Sequence, residues 1–177
     1  MSDAPLEFPT LANLPSPHSC VLNLGTLTED LFQAYGTALS EYNKSGWPIV
    51  LDPVGAGATK FRAQVVVDCL EKGYVDIIKG NLGEVMAVAG WEGGKSRGVD
   101  SIDAGNLDDR CQLAVFLARR ERLFLLSLQL ISGNIVLITG KDDVISDGVN
   151  TIIVRNGHPL LGKITGVYSL QIRQLII

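Results

Sequence analysis

Apolar positions along the chain switch between two periods, and the switches mark alternating strands and helices. "CVLNLGTL" (20–27) is a short apolar run that closes on a turn at Gly25, as a buried strand does. In "TEDLFQAYGTALSEYNKSG" (28–46), Leu31, Tyr35, Ala38, Leu39 and Tyr42 recur on one face at helical spacing. Thr28, followed by two acids, predicts the N-cap of that helix, and Gly46 its stop. "WPIVLD" (47–52) reads as a second strand and "KFRAQVVVDCLEKG" (60–73) as a second helix ending at Gly73. "YVDIIKG" (74–80) is a third strand, and "NLGEVMAVAG" (81–90) a short helix. After a polar, glycine-rich loop at 91–101, "NLDDRCQLAVFLARRE" (106–121) predicts another long helix and "NIVLITG" (134–140) a further strand. "DVISDG" and "NTIIVRNG" then read as a hairpin. Strand alternating with helix implies a mostly parallel sheet with helices on its faces.

One run breaks the rhythm. "RLFLLSLQLIS" (122–132) is densely apolar and lies between a helix and a strand that a short polar loop would join. Its unbroken apolar part falls far short of the ~20 residues that span a bilayer. It reads either as a buried continuation of the helix or as an insertion.

Composition narrows the class. The 177 residues suit a single domain with a sizeable core, and 46% hydrophobic against 19% charged residues argues against disorder. A net charge of −4 disfavours non-specific nucleic-acid binding. Cys20, Cys69 and Cys111 are widely spaced without a CxxC pair, which suits a reducing cytosol and a cytoplasmic location. The opening residues carry no basic stretch followed by an apolar run, so they do not read as a signal peptide, and no membrane partner is expected.

Candidate chemistry gathers at predicted strand ends. "VLDPVGAGATKFR" (50–62) finishes a strand on Asp52 and runs into a glycine-rich turn. The carboxyl end of a buried strand is where open α/β sheets place ligands, although the glycines would equally serve a plain connection. In "IIKGNLGEV" (77–85), Lys79, Asn81 and Glu84 fall where a strand meets a helix N-terminus. That terminus suits phosphate, and Glu84 three residues after Asn81 would equally close a capping box. "LITGKDD" (137–143) offers Thr139 and Gly140, which would bind a ligand or satisfy a turn. His158 follows no metal-ligand spacing. Acids for Mg²⁺, with a lysine and amides for phosphates, together form a set suited to phosphoryl transfer. Neither GxxxxGK[ST] nor GxGxxG is present.

Four segments, "VLDPVGAGATKFR", "DIIKGNLGEVMAVAG", "VLITGKDDVISDG" and "NGHPLLGKITG", resemble the hydroxyethylthiazole kinase family of thiamine salvage. "DPVGxGAT" is the most specific of these, and the resemblance runs from near residue 1 to about Gly166. It implies a three-layer α/β fold of ribokinase-like type with a mostly parallel central sheet. It also implies transfer of the ATP γ-phosphate to the hydroxyl of hydroxyethylthiazole with Mg²⁺. A homotrimer with thiazole sites at subunit boundaries follows, and in fungi a fusion behind a thiamine-phosphate synthase domain. By position, Asp52 and Glu84 would help hold Mg²⁺ and the phosphates, and Lys79, Asn81, Thr139 and Gly140 would bind ATP. Met1, Asn23, Gly25, Thr26 and Gly166 would line the thiazole pocket.

The departures from the family are as specific. After "ITG" the family continues with a glycine and a cysteine, where this chain has Tyr168 and Ser169. Ser169 would thus stand at the position of the catalytic cysteine. Residues 122–132 read as an insertion and 167–177 leave the family pattern. The expectation is a single domain over 1–177, incomplete at both ends, as in a truncated or misassembled fungal-type chain. Its kinase activity would be impaired. Rival readings are another ribokinase-like kinase, such as one acting on hydroxymethylpyrimidine, and an inactive pseudo-kinase that only binds ligand or subunits.

Overall fold

The computed structural model describes residues 19–72, 75–90, 106–127, 134–155 and 157–158. Among these, six strands form one sheet in sequential order: β1 (Cys20–Asn23), β2 (Ile49–Asp52), β3 (Ile77–Asn81), β4 (Ile135–Thr139), β5 (Asp143–Ser146) and β6 (Thr151–Val154). β1 to β4 run parallel, and β5 and β6 turn back as antiparallel neighbours. Helices α1 (Glu29–Ser45), α2 (Lys60–Lys72) and α3 (Leu82–Ala89) connect or follow the first strands, and α4 (Leu107–Ser127) precedes β4.

Local chemistry sets these boundaries. Thr28 accepts from the Leu31 N–H and starts α1, and Gly46 ends it in the left-handed region at φ 68°. Ala34, Tyr35, Ala38, Leu39 and Tyr42 form the buried face of α1, with Leu31 half-buried beside them. Successive helices pack on one another, which gathers them on one side of the sheet. Leu22, Ile49, Leu51, Ile78, Val136 and Ile138 meet them there in the core. Because side chains alternate along a strand, Val50 and Leu137 point to the other side, and they are buried too. Side chains on both faces of the central strands are therefore buried.

The expected alternation of strands and helices is present, including the closing hairpin of β5 and β6. The helix that starts near Asn106 carries on through Ser127, so 122–127 continue it, and 128–132 lie outside the described residues. No helix among the described residues is long and apolar enough to cross a membrane.

Candidate functional site

Parallel register brings three distant residues into a row. Asn23 pairs with Asp52 across β1 and β2. Leu51 pairs with Ile78 across β2 and β3, so one step further Asp52 lies beside Lys79. Side chains at matching positions of neighbouring strands share a face, here the one turned away from the helices. Asn23 Nδ2 donates to Asp52 Oδ2 at 2.8 Å, and Lys79 Nζ approaches the same oxygen at 3.4 Å. Asp52 and Lys79 are each only 3% exposed. Burial pushes the Asp52 carboxyl above its usual range, and Lys79 and Asn23 pull it back down. Asn23 also orders the turn that follows it. Its Oδ1 accepts from the Gly25 N–H at 2.8 Å and its carbonyl from the Tyr35 hydroxyl at 2.5 Å. A Cβ on residue 25 would sit 2.8 Å from that Oδ1, so a side chain there would displace Asn23.

Glu84 fastens the glycine-rich turn. Asn81 caps α3 by accepting from the Glu84 N–H at 2.9 Å, and Glu84 Oε2 accepts from the Asn81 N–H at 2.8 Å. The capping box foreseen from spacing is therefore present. The other carboxylate oxygen has a second task, accepting from the Gly55 N–H at 3.0 Å. Gly55 sits at φ 67°, in the left-handed region that favours glycine. Between Asp52 and Ala58 the backbone folds through short-range bonds from Val54 to Asp52, Ala56 to Pro53 and Ala58 to Gly55. Burial raises the Glu84 pKa most strongly, its two backbone donors lower it, and the nearby Asp52 charge raises it further.

Thr139 ends β4 opposite Asn81. Its hydroxyl donates to the Gly80 carbonyl at 3.3 Å, and the Gly140 N–H donates to Asp143 Oδ1 at 2.9 Å. Both therefore have structural tasks beside any ligand role. Thr26 is exposed near the same end of the sheet. Met1, Gly166, Tyr168 and Ser169 lie outside the described residues.

Two basic residues escaped the reading of the sequence. Arg62 reaches from α2 to the carbonyls of Leu24, Gly25 and Val54. Arg110, 3% exposed in the first turn of α4, donates to the Asp142 carbonyl in the turn after Thr139. A cation in a helix's first turn opposes the dipole. That misplacement was the available signal, although it does not say which carbonyls the side chain meets.

Two buried carboxylates, Asp52 and Glu84, gather at these strand ends beside Lys79. No group of three or more acidic, histidine or cysteine side chains among the described residues forms a metal cage. Mg²⁺ seldom needs one, being held through one or two carboxylates with water and phosphate oxygens completing its shell. Asp52 and Glu84, two buried carboxylates with the Gly55 turn between them, supply the kind of donors such an ion would use.

The family model described as "Hydroxyethylthiazole kinase family" matches residues 1–170. A hydroxyethylthiazole kinase of Pyrococcus horikoshii is 44% identical over 146 residues, 82% of this chain and 50% of that protein. One from Desulfatibacillum aliphaticivorans is 40% identical over 166 residues, 94% of this chain and 56% of its own length. A solved hydroxyethylthiazole kinase structure from Pyrococcus horikoshii superposes with a TM-score of 0.72 at 36% identity, covering 96% of this chain and 57% of that one. The chain thus spans about half the length of the curated relatives it matches.

Proposed function

The chain belongs to the hydroxyethylthiazole kinase family, and from that membership we propose that it carries the site where ATP phosphorylates hydroxyethylthiazole. In this reaction a bond forms between the alcohol oxygen and the γ-phosphorus. The bond from that phosphorus to the β–γ bridging oxygen breaks, and the alcohol proton is released. The observation that carries the reading is the row Asn23–Asp52–Lys79 beside a turn held by Glu84. Asp52 and Glu84 would hold Mg²⁺ directly or through water, and the ion would supply neutralisation of phosphate charge. Lys79 contributes a buried positive charge at the same strand ends, where phosphoryl transfer asks mainly for positioning and electrostatics. Thr139 and Gly140 would face the nucleotide, and Asn81 keeps α3 and its dipole in place. Asn23, Gly25 and Thr26 would face the thiazole, with Met1 and Gly166 completing that pocket. A homotrimer, a cytoplasmic location and a fusion to a thiamine-phosphate synthase domain belong to the same reading; sedimentation tests the first.

The test is transfer of labelled phosphate from ATP to hydroxyethylthiazole and, in parallel, to hydroxymethylpyrimidine. Product from the pyrimidine alone would refute the assignment. A second reading, binding without turnover, is favoured by Tyr168 and Ser169, which stand where the family has a glycine and a cysteine. A lost oxyanion donor costs about 10²–10³-fold in rate. Turnover should accordingly rise by about that factor in the Tyr168→Gly/Ser169→Cys variant. Equal rates would remove the claim that these residues impair the site.

A further inference from the structure

Arg62 occupies the first turn of α2, which contains no acidic residue. Its own N–H is held by Thr59 Oγ1 at 3.2 Å, and its guanidinium extends back over two loops. One terminal nitrogen donates to the carbonyls of Leu24 and Val54, the latter at 2.8 Å, and the other donates to the Gly25 carbonyl at 2.9 Å. A planar guanidinium fork can serve three carbonyls on two segments, and a lysine ammonium cannot reproduce that fork.

The Val54 carbonyl and the Gly55 N–H belong to the same peptide group. Arg62 takes its oxygen, and Glu84 Oε1 takes its N–H at 3.0 Å. Side chains of opposite charge thus grip one peptide from both ends, and flipping that peptide would break both bonds together. On the other loop, the carbonyls bound by Arg62 directly follow Asn23, whose side chain is bonded to Asp52 and to the Gly25 N–H.

We propose that Arg62 is a positioning residue. With Glu84 it clamps the Val54–Gly55 peptide, and through Leu24 and Gly25 it couples the loop after β1 to the loop after β2. The loop facing the alcohol and the loop facing the phosphates then keep one relative geometry, which phosphoryl transfer requires. This deepens the kinase reading and rests on it for its catalytic meaning, while the clamp itself can be measured in the ligand-free chain.

Amide hydrogen exchange followed by NMR compares the full chain with its Arg62→Lys and Arg62→Ala variants. The Gly25 and Gly55 amides should lose protection together in both variants, by roughly tenfold or more, as expected when a charge-assisted hydrogen bond goes. Amides inside β2 and β3 should keep theirs, and ethylguanidinium should restore both loops in Arg62→Ala. Unchanged protection at Gly55, or a uniform loss across the sheet, would overturn the proposal. Calorimetry supplies the second readout. In the unmodified chain Mg²⁺·ADP should tighten hydroxyethylthiazole binding, and Arg62→Lys should abolish that coupling while each ligand alone still binds. Coupling that survives in Arg62→Lys also overturns the proposal. If the unmodified chain binds neither ligand, the kinase reading fails, and the exchange result decides the clamp by itself.

Discussion

Replacing Gly55 with alanine should destabilise the chain, while the same replacement at Gly36 should stabilise it. Gly55 sits at φ 67°, and a Cβ there would meet Arg62 Cδ at 3.5 Å and the Ala58 Cβ at 3.8 Å, ordinary contact distances. The penalty therefore comes from the backbone alone. The left-handed region costs a non-glycine residue about 1–2 kcal/mol. Alanine also restricts the unfolded chain, which offsets roughly 0.4–1 kcal/mol of that. The net loss is about 1 kcal/mol. Gly36 lies inside α1, and a Cβ there meets nothing within 4 Å. Alanine should gain about 0.5–1 kcal/mol at such a position. Urea unfolding at constant m-value separates the two variants by about 2 kcal/mol. Thermal midpoints should move in opposite directions by roughly 2–4 °C per kcal/mol for a chain of this size. Asn tolerates the left-handed region, so Gly55→Asn should recover much of the loss. A Gly55→Ala variant as stable as the parent would show that this turn does not hold the geometry on which the Glu84 contact depends.

Lys79→Met leaves Asp52 buried without its ammonium and should cost about 3–5 kcal/mol in urea unfolding, most of it recovered by adding Asp52→Asn. Burial raises the native pKa values of Asp52 and Glu84, so the folded chain keeps protons that the unfolded chain has already released. Stability contributed at these groups is thus lost as pH rises from the ordinary carboxylate range to the native values; Asp52→Asn should flatten that slope in urea titrations across pH. On the proposed ligation by Asp52 and Glu84, Mg²⁺ binding should release protons and weaken as pH falls through the same window. Calorimetry in buffers of different ionisation heat reads this directly, and binding without proton release argues against carboxylate ligation. Although 122–127 continue α4, deleting 122–132 should raise solubility and leave the chain folded, and collapse of its far-ultraviolet dichroism beyond the loss of those turns would refute this and assign the run to the core.

Much of the scaffold was legible because its signals are local. Thr28 and Gly46 bound α1 through groups within a turn of themselves, and Asn81 with Glu84 closes a box within four residues. Asp52, Lys79 and Thr139 could be placed at strand ends for the same reason. Which of them touch could not be read, because register is a tertiary property set by packing. Asp52 meets Lys79 and Asn23 directly, whereas Thr139 turns its hydroxyl to the Gly80 carbonyl. Asn23 entered the reading through resemblance alone, since an asparagine ending a short strand carries no local signal. Arg62 and Arg110 were hidden by their length, because a guanidinium can act several residues from its backbone in any direction.

The same distinction explains how the site is assembled. The carbonyl of Asp52 accepts from the Leu24 and Val54 N–H groups, while its side chain meets Asn23 and Lys79. A single residue therefore ties the first three strands together at one end of the sheet and orients a buried carboxylate there. The long Lys79 contact, 3.4 Å against the ~2.7–2.9 Å usual for charge-assisted bonds, leaves that carboxylate incompletely neutralised. Burial raises the pKa of both Asp52 and Glu84, and the Asp52 charge adds to the rise at Glu84. In the proposed complex a divalent cation and its phosphate ligands would share the charge of these acids. The strain in protonation at these two acids is thus the electrostatic counterpart of the phosphate chemistry proposed for the site.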